Sequence, residues 1–540
     1  MRAAEHALRF LAKAGVRYIF GIPGGSVSPL FDALNEVPEL QFIMSRHEAA
    51  AALTAASYAR NSGQLGVVMA VSGPGATNLL SGCASAMRER LPVLAITGQV
   101  RTDHMGLNAA QESSPWTMDM AASFRPFTKA SIQVPQASEL TRSLRMAMRL
   151  ALSAPQGPVH LSLPLDVQRG EVGTPLVPEL GSIPSVGGLS QEQLALLVDF
   201  LSADAGVILA GSGVRKARAT QAFGALARRL GWPVVTSAAG KGSYSEEDPL
   251  GMGVYGQAGT PAARQAVARA ERVLVLGSSL GETATASWSS ELSVGKRMVH
   301  IDLDPAVFGR QYEPHLAFVA DLREVLRQLL AVLPERPLPP PPEKPTGSSS
   351  GLIIASHLEA LAQGMPRDVR LSCDIGEHMM WALHYWRSSE DGFDISINYG
   401  GMGSGIANSL GSYLADQRPT VCLTGDGCFA MHGSEVLTAL QYRMPIVFVV
   451  LNNSSYGMVR WGHRMLFGRT QEEFDYGTMD IATMARGMGA RSFRVDTLAD
   501  WPAVLREDLF SGEVPTVIDL RVPNDDPPPM GDRVRTLKGG

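Results

Sequence analysis

The 540-residue sequence predicts an α/β protein with three doubly wound domains, each built on a parallel sheet. Two observations support this fold class. Short runs rich in Val, Ile and Leu recur along the chain with helical patterns between them. Such near-continuous apolar runs are typical of strands that helices cover on both faces, as in parallel sheets.

Two breaks in this alternating pattern divide the chain. Residues 333–351 are rich in proline and then in serine and glycine, which predicts an extended linker. A softer break with scattered glycine, proline and serine covers residues 170–190. We therefore expect an N-terminal domain over residues 1–172, a central domain over 190–332 and a C-terminal domain over 352–530.

Each domain is predicted to contain four strands. In chain order they cover residues 17–20, 65–71, 92–98, 159–164, 206–211, 233–237, 272–277, 298–304, 369–374, 420–426, 446–452 and 516–522. Ligands of doubly wound sheets bind beyond the carboxyl ends of the strands. Polar residues that directly follow these runs are therefore the first candidates for a functional site.

Composition excludes several classes of function. The formal net charge of −5 argues against a nucleic-acid partner, which would require a basic surface. The four cysteines form no C-x-x-C pair, which favours a reducing, cytoplasmic environment. The N-terminal segment has the pattern of an amphipathic helix and not of a signal peptide. No apolar run approaches the ~20 residues of a membrane span, so no membrane partner is expected.

The segment GDGCFAMHG contains the most informative acid. Asp426 lies between Gly425 and Gly427 directly after one predicted strand, and Asn453 follows the next. Oxygen ligands from two neighbouring strand ends suit Mg²⁺, which commonly shares its site with phosphate, and the glycines let a phosphate approach the backbone. Either feature alone is more often a tight turn or a helix cap. Their combination predicts a metal-bridged diphosphate site.

This combination resembles the signature of thiamine diphosphate-dependent enzymes. The motifs FGIPGGSVSPLFDAL, GVVMAVSGPGATNLLSG and LPVLAITGQV are most similar to the acetolactate synthase catalytic subunit and its relatives. The resemblance covers about residues 3–525. It implies that the N-terminal domain binds the aminopyrimidine of thiamine diphosphate and the C-terminal domain binds its diphosphate with Mg²⁺.

The resemblance also implies the residues that hold the cofactor. Metal ligation is implied for Asp426, Asn453 and the backbone carbonyl of Ser455. Met402, which would otherwise be an ordinary core methionine, is implied to support the bent cofactor. The implied cofactor-binding residues are Gly24, Gly25, Pro74, Gly376, Glu377, His378, Gly400, Met402, Gly425, Gly427, Cys428, Gly457 and Met458.

Three residues are implied to be catalytic. Glu48 opens a predicted helix, where an acid usually only compensates the helix dipole. The resemblance implies that it instead bonds N1′ of the aminopyrimidine and assists proton transfer. Gln99 lies at a predicted strand end. From its local sequence alone, His104 is an ordinary loop histidine. The resemblance implies that it is a proton donor.

The implied reaction is decarboxylation of a 2-oxo acid such as pyruvate, followed by carboligation to a second carbonyl. The alternative is a non-oxidative 2-oxo acid decarboxylase or acyl-CoA lyase of the same superfamily, which His104 favours. A third possibility is a non-catalytic paralogue. The presence of Glu48, Asp426 and Asn453 argues against it, because such a protein would not need all three. The resemblance further implies a homodimer or homotetramer whose active sites lie between subunits.

Several positions depart from the acetolactate synthase pattern. Ala110 replaces an aromatic residue, Trp461 stands one position early so that Gly462 takes its place, and Glu377 replaces a glutamine. An acid at position 377 would repel phosphate unless it is protonated or turned away. In the central domain the run GSSLGE lacks the arginine of the flavin-binding pattern. Whether this domain binds FAD, ADP or no nucleotide is therefore left open by the sequence.

Overall fold

The computed structural model describes residues 1–173, 177–203, 205–335 and 351–537. These residues form three six-stranded sheets, and every pairing between neighbouring strands is parallel. The predicted α/β class with three doubly wound sheets is confirmed. The greater part of the predicted linker at 333–351, namely residues 336–350, lies outside the described residues.

The N-terminal sheet is assembled from six short strands. They are β1 (Tyr18–Gly21), β2 (Gln41–Met44), β3 (Gly66–Ala70), β4 (Val93–Gln99), β5 (Ser131–Gln133) and β6 (Val159–Pro164). The helices are α1 (Ala3–Lys13), α2 (Ser28–Leu34), α3 (Glu48–Ser62), α4 (Pro74–Arg88), α5 (Met120–Phe124), α6 (Leu140–Leu152) and α7 (Leu165–Arg169). The strand order is β2-β1-β3-β4-β6-β5.

The central sheet has the same size and the order β12-β11-β10-β7-β8-β9. Its strands are β7 (Val207–Ala210), β8 (Val234–Thr236), β9 (Gly251–Val254), β10 (Arg272–Leu276), β11 (Arg297–Asp302) and β12 (Leu316–Val319). Its helices are α8 (Gln191–Leu201), α9 (Ser212–Lys216), α10 (Thr220–Leu230), α11 (Pro261–Arg269) and α12 (Leu322–Val332).

The C-terminal sheet has the order β14-β13-β15-β16-β18-β17. Its strands are β13 (Arg370–Cys373), β14 (Phe393–Ile395), β15 (Thr420–Gly425), β16 (Val447–Asn452), β17 (Arg491–Val495) and β18 (Thr516–Arg521). Its helices are α13 (Ile353–Gln363), α14 (Glu377–Tyr385), α15 (Ser404–Asp416), α16 (Asp426–His432), α17 (Val436–Gln441), α18 (Gly457–Phe467), α19 (Ile481–Met488), α20 (Trp501–Leu505) and α21 (Gly531–Leu537).

The C-terminal sheet brings the polar strand ends together. β13 pairs with β14 on one side and β15 on the other, so the chain order reverses at β13. β15 and β16 are neighbours, with Gly425 opposite Leu451. The residues that follow these strands therefore meet at one edge, which is where doubly wound sheets bind ligands.

Helix α3 joins the N-terminal and C-terminal domains. It is rich in alanine, a strong helix former, and it ends at Gly63 in the left-handed conformation. Nearly all of its residues are buried, because it packs on its own sheet and also against α15. Thr54 and Ser57 donate hydrogen bonds to the backbone carbonyls of Ala407 and Asn408 on α15.

Within residues 1–173, 177–203, 205–335 and 351–537, no helix is long and apolar enough to cross a membrane.

Candidate active site

A cavity of about 200 Å³ lies at the carboxyl edge of the C-terminal sheet, beyond β13, β15 and β16. Its walls contain every cofactor-binding and metal-ligating residue predicted for the C-terminal domain. The lining residues are Ile375, Gly376, Glu377, His378, Gly400, Met402, Gly425, Asp426, Gly427, Cys428, Leu451, Asn453, Ser455, Tyr456, Gly457, Met458 and Val459.

Asp426 is a buried carboxylate in the wall of this cavity. It is the first residue of α16 and is buried, with one oxygen accepting from the Gly427 amide (2.8 Å) and from the Tyr476 hydroxyl (2.7 Å). The other oxygen accepts from the Ser454 amide at 2.7 Å. Burial raises the pKa of Asp426 above its usual value, because water no longer solvates the charged form. A divalent cation would relieve that cost.

Asn453 directly follows β16 and also lines the cavity. Its Oδ1 accepts from the Ser455 amide at 3.2 Å, and its Nδ2 donates to Glu377 at 3.0 Å. The preceding Asn452 points elsewhere, since its amide donates to Asp519 and to the carbonyl of Met479. Of the two adjacent asparagines, only Asn453 therefore faces the cavity.

The cavity wall contains a second acid, Glu377, at a position where the acetolactate synthase pattern has glutamine. It begins α14, is buried, and accepts a hydrogen bond from Trp381 Nε1 at 3.2 Å in addition to that from Asn453. Burial raises its pKa to about 7, against the opposing effect of these two hydrogen bonds. Its carboxyl group is thus directed at Asn453.

At two glycines of the cavity wall, a Cβ would crowd neighbouring side chains. A Cβ at Gly457 would lie 1.7 Å from the Glu377 carboxylate oxygen and 2.9 Å from Asn453 Nδ2. A Cβ at Gly427 would lie 3.0 Å from the ring of Tyr456 and 3.1 Å from the Tyr476 hydroxyl. Gly457 in particular cannot be replaced without displacing Glu377.

Polar atoms in and beside the cavity lack protein partners. His378 Nε2, Ser404 Oγ and Ser455 Oγ are buried and make no hydrogen bond within the described part of the chain. Burial lowers the pKa of His378 to about 3, so its ring is neutral at physiological pH. Buried polar groups without a protein partner usually bond a ligand or an ordered water. Together with Asp426 and Asn453 they fit a polar, metal-bridged group such as a diphosphate.

Glu48 and Gln99 lie in the N-terminal domain, Glu48 a few residues after β2 and Gln99 at the end of β4. Glu48 is buried at the start of α3 and accepts from Asn78 Nδ2 at 2.9 Å. Gln99 ends β4, where its Oε1 accepts from the amides of Val100 and Ser113. Its Nε2 is buried and has no partner among the described residues.

The predicted N-terminal site residues do not line the C-terminal cavity of the same chain. This holds for Glu48, Gln99, His104, Gly24, Gly25 and Pro74. Gly24 precedes a short turn at the end of β1, and Pro74 begins α4. His104 is exposed on a short helical turn over Thr102–His104.

Sequence reasoning missed five residues at the C-terminal cavity. Ile375, Leu451, Tyr456 and Val459 line it, and Tyr476 donates to Asp426. The first two are apolar residues beside strand ends, which look like ordinary core positions in a sequence. Tyr476 lies well beyond the GDG motif in a segment without a motif, so only the folded chain brings it to Asp426.

Comparison with known proteins identifies the family. Residues 1–121 match the model of the N-terminal TPP binding domain of thiamine pyrophosphate enzymes. Residues 195–329 match the model of their central domain, and residues 374–520 match that of their C-terminal TPP binding domain. The chain belongs to the thiamine pyrophosphate enzyme family.

Relatives of this family cover almost the whole chain. A probable acetolactate synthase large subunit of Methanocaldococcus jannaschii is 31% identical over 98% of this chain and 93% of the relative. An acetolactate synthase of Arthrospira platensis is 32% identical over 96% and 93% of the two chains. The isozyme 1 large subunit of Escherichia coli is 29% identical over the same shares. The chain is thus an acetolactate synthase-like, thiamine diphosphate-dependent enzyme.

The tryptophan that departs from the family pattern lies away from the cavity. Trp461 on α18 is buried in the core of the C-terminal domain, with the guanidinium of Arg464 5.0 Å from its ring. A shift of one position turns a helical side chain by about 100°. Val459 on the same helix lines the cavity, whereas a Cβ at Gly462 would, among the described residues, come within 4 Å of Met530 alone.

Proposed function

We propose that this enzyme decarboxylates a 2-oxo acid such as pyruvate and joins the retained acyl unit to a second carbonyl, as acetolactate synthases do. The observation that carries the proposal is the convergence on one cavity of Asp426, Asn453 and the atoms of His378 and Ser455 that have no partner among the described residues. The family membership and the named relatives support the same reaction.

The proposal assigns the two outer domains to the two ends of the cofactor. The N-terminal domain (1–172) holds the aminopyrimidine, and the C-terminal domain (352–530) holds the diphosphate. Thiamine diphosphate, when bound, supplies the electron sink that lets carbon dioxide leave a 2-oxo acid. Glu48 holds and moves a proton at the aminopyrimidine nitrogen, and the apolar residues of the cavity keep water from the reacting carbon.

We assign Mg²⁺ as the metal of this site. The ligand set is Asp426, Asn453 and the carbonyl of Ser455, all oxygen donors of the kind that this cation prefers. His378 Nε2 and the hydroxyl of Ser455 would bond the diphosphate oxygens, which would satisfy atoms that have no partner in the described part of the chain.

The active enzyme is proposed to be a homodimer or homotetramer. Glu48 lies outside the cavity of its own chain, so a complete site would draw Glu48 from one subunit and the cavity from another. A cytoplasmic location is proposed from the four buried free cysteines, which suit a reducing compartment.

A flavin has little support in the central domain. Asp302, at the end of β11, is a position at which a nucleotide would be expected from the resemblance. It is engaged by Arg90 of the N-terminal domain at 3.6 Å, and Arg90 also bonds Asp304. Because Asp302 is paired with Arg90, it is not available to bind a nucleotide. No step of the proposed reaction uses a nucleotide.

The test is a product assay on the purified protein with pyruvate, thiamine diphosphate and Mg²⁺. Acetolactate as the main product supports the proposal. Acetaldehyde as the main product would favour the simple decarboxylase instead. Absence of both, and of turnover with bulkier 2-oxo acids, would contradict the proposed reaction. A visible absorption spectrum without a flavin band is expected for the same sample.

A further inference from the structure

The loop before Glu48 is held by the C-terminal domain of the same chain. Glu435 ends a short helical turn over Gly433–Glu435, directly after α16, and is fully buried. Its Oε1 accepts hydrogen bonds from the backbone amides of Arg46 (2.8 Å) and His47 (3.1 Å), the two residues that precede Glu48. Glu435 therefore connects the C-terminal domain to the start of α3.

The other oxygen of Glu435 is bonded within its own domain. Oε2 accepts from the hydroxyl of Thr438, about one helical turn further along, at 2.7 Å. A side chain held by a second hydrogen bond places its remaining groups more precisely. Oε1 thus has a fixed position from which it binds the two amides.

His47 connects this contact to Glu48. It is the N-cap residue of α3, with an extended backbone and with Nδ1 accepting from the amide of Ala49 at 3.1 Å. An N-cap bond satisfies an amide of the first helical turn and so fixes where the helix begins. Glu48 is the first residue of α3, so the direction of its side chain follows from the backbone of Arg46 and His47.

We propose that Glu435 is a positioning residue that fixes the backbone before Glu48 and thereby places the Glu48 carboxyl group for proton transfer. This inference rests on the proposed function, which assigns that proton transfer to Glu48. Glu435 itself does not line the C-terminal cavity. A displacement of about 1 Å that originates far from the reacting atoms can lower a rate about a hundredfold.

A contact between the same two domains provides the matched control. The hydroxyl of Tyr442 accepts from the backbone amide of Met44 at 2.7 Å, at the end of β2 and two residues before Arg46. If Glu435 only held the domains together, loss of either contact would have the same effect. Tyr442→Phe removes the Met44 bond and leaves the bonds to Arg46 and His47 in place.

Positioning requires a hydrogen-bond acceptor at residue 435 and does not require a charge. Glutamine keeps a carbonyl oxygen that can accept from both amides, and its NH₂ group can donate to the hydroxyl oxygen of Thr438. Leucine has a similar size but no acceptor. The informative pair is therefore Glu435→Gln and Glu435→Leu, with Glu435→Ala in place of the leucine variant if that variant does not fold.

The first measurement is hydrogen–deuterium exchange at the amides of Arg46 and His47, read by mass spectrometry on the cofactor-free full-length protein. We expect these amides to exchange about tenfold faster in Glu435→Leu than in the wild type, because each loses its acceptor. Glu435→Gln and Tyr442→Phe should retain wild-type exchange at these two amides. Thermal unfolding checks that every variant is folded.

The second measurement is steady-state kinetics with a 2-oxo acid at saturating thiamine diphosphate and Mg²⁺. We expect kcat to fall about tenfold to a hundredfold in Glu435→Leu with KM nearly unchanged, since Glu48 is displaced while the cavity is intact. Glu435→Gln should keep most of the wild-type kcat. Tyr442→Phe should keep it as well, although it also loses a bond between the domains.

Three results would overturn the inference while leaving the proposed function intact. The first is wild-type exchange or wild-type kcat in Glu435→Leu. The second is an equal loss in Glu435→Gln, which would assign the effect to the charge. The third is an equal loss of kcat in Tyr442→Phe, which would assign it to contact between the domains in general. Absence of turnover of any 2-oxo acid by the wild type would instead overturn the proposed function and the inference with it.

Discussion

At the scale of single residues, the C-terminal cavity combines firmly held acceptors with unpaired polar groups. Asp426 accepts three hydrogen bonds from Gly427, Tyr476 and Ser454, which fix its carboxylate before any cation arrives. His378 Nε2 and Ser455 Oγ remain unpaired nearby within the described chain. Held acceptors next to unpaired groups are what a preorganised cofactor site requires.

The role of Glu48 can be separated from cofactor binding. Glu48→Gln keeps the size of the side chain but removes its ability to take up a proton. We expect turnover to fall by at least about a hundredfold, because general acid–base catalysis is lost, with little change in the affinity for thiamine diphosphate. Steady-state kinetics and a cofactor titration measure the two quantities. Full activity in this variant would contradict the assigned mechanism.

His160 makes stability depend on pH. It is fully buried on β6, between the hydroxyls of Thr97 and Ser131 and stacked on Phe124, and burial lowers its pKa to about 3. The unfolded chain takes up a proton near pH 6.5 and the folded chain does not. The contribution of His160 is therefore complete above about pH 6.5 and is lost as the pH falls toward 3.

The measurement compares unfolding midpoints of the wild type and His160→Gln between pH 7 and pH 5. Over this interval the wild type should lose roughly 2 kcal/mol that the variant does not lose. The variant is expected to be less stable at pH 7 but to have a flatter dependence on pH. Equal dependence in both proteins would show that His160 is protonated in the folded chain.

Motifs predicted the polar walls of the cavity well, because glycines and metal-binding side chains at strand ends have a recognisable spacing. Asp426 and Asn453 were both found in this way. Tyr456, Val459 and Tyr476 were not, since nothing in their local sequence distinguishes them from other loop or helix residues. Their contribution depends on how the loop after β16 folds back over the sheet, which is a tertiary property.

At the scale of elements, the crossing of α3 and α15 holds the two cofactor-binding domains together. Beneath the backbone contacts lies a buried polar network in which Arg60, Ser57, Asn61 and Ser412 all bond Asp394. The nearby arginines hold the pKa of Asp394 well below its usual range despite its burial. The network gives this crossing one preferred register.

Gly411 allows the two helices to approach. A Cβ at this position would lie 2.2 Å from the carbonyl oxygen of Thr54. We expect Gly411→Ala to destabilise the protein by about 1–3 kcal/mol, because the backbones must move apart. Gly487→Ala on the exposed face of α19, where a Cβ meets nothing, is the matched control and should stabilise by up to about 1 kcal/mol.

Thermal unfolding midpoints of the two glycine variants measure these opposite effects. Alanine is the better helix former at both positions, so helix propensity alone predicts a gain in each. An increase in the unfolding midpoint of Gly411→Ala equal to that of Gly487→Ala would contradict the close crossing of α3 and α15.

The strands show which parts of each sheet can be predicted from sequence patterns. The four predicted strands of each sheet are its four central strands, and the six that were missed, β2, β5, β9, β12, β14 and β17, are all edge strands. Central strands are buried on both faces and therefore appear as continuous apolar runs. The edges are short, partly exposed or interrupted by glycine or aspartate, so their pairing depends on the neighbouring strand more than on their own sequence.

At the scale of the whole molecule, the two halves of the proposed site lie on different sheets. Glu48 belongs to the N-terminal domain and does not line the cavity that contains Asp426 in the same chain. A dimer would supply Glu48 to the cavity of the other subunit. Each symmetric dimer would then contain two equivalent sites, each made by both chains.

Mixing two inactive variants tests this arrangement. Glu48→Gln and Asp426→Asn are each expected to be inactive. If both are unfolded and refolded together, half of the dimers should contain one of each, and one of their two sites should be intact. About a quarter of wild-type activity should return. No recovery, with mixed dimers demonstrated by differential tags, would show that each site is built within one chain.

The C-terminal cavity is proposed to bind thiamine diphosphate through a divalent cation on Asp426. Calorimetric titration of thiamine diphosphate into the protein with Mg²⁺, for the wild type and for Asp426→Asn, tests it most directly. We expect tight binding by the wild type that EDTA abolishes, and affinity lower by at least about a hundredfold in Asp426→Asn. Equal binding by both proteins, or binding that is indifferent to EDTA, would contradict it.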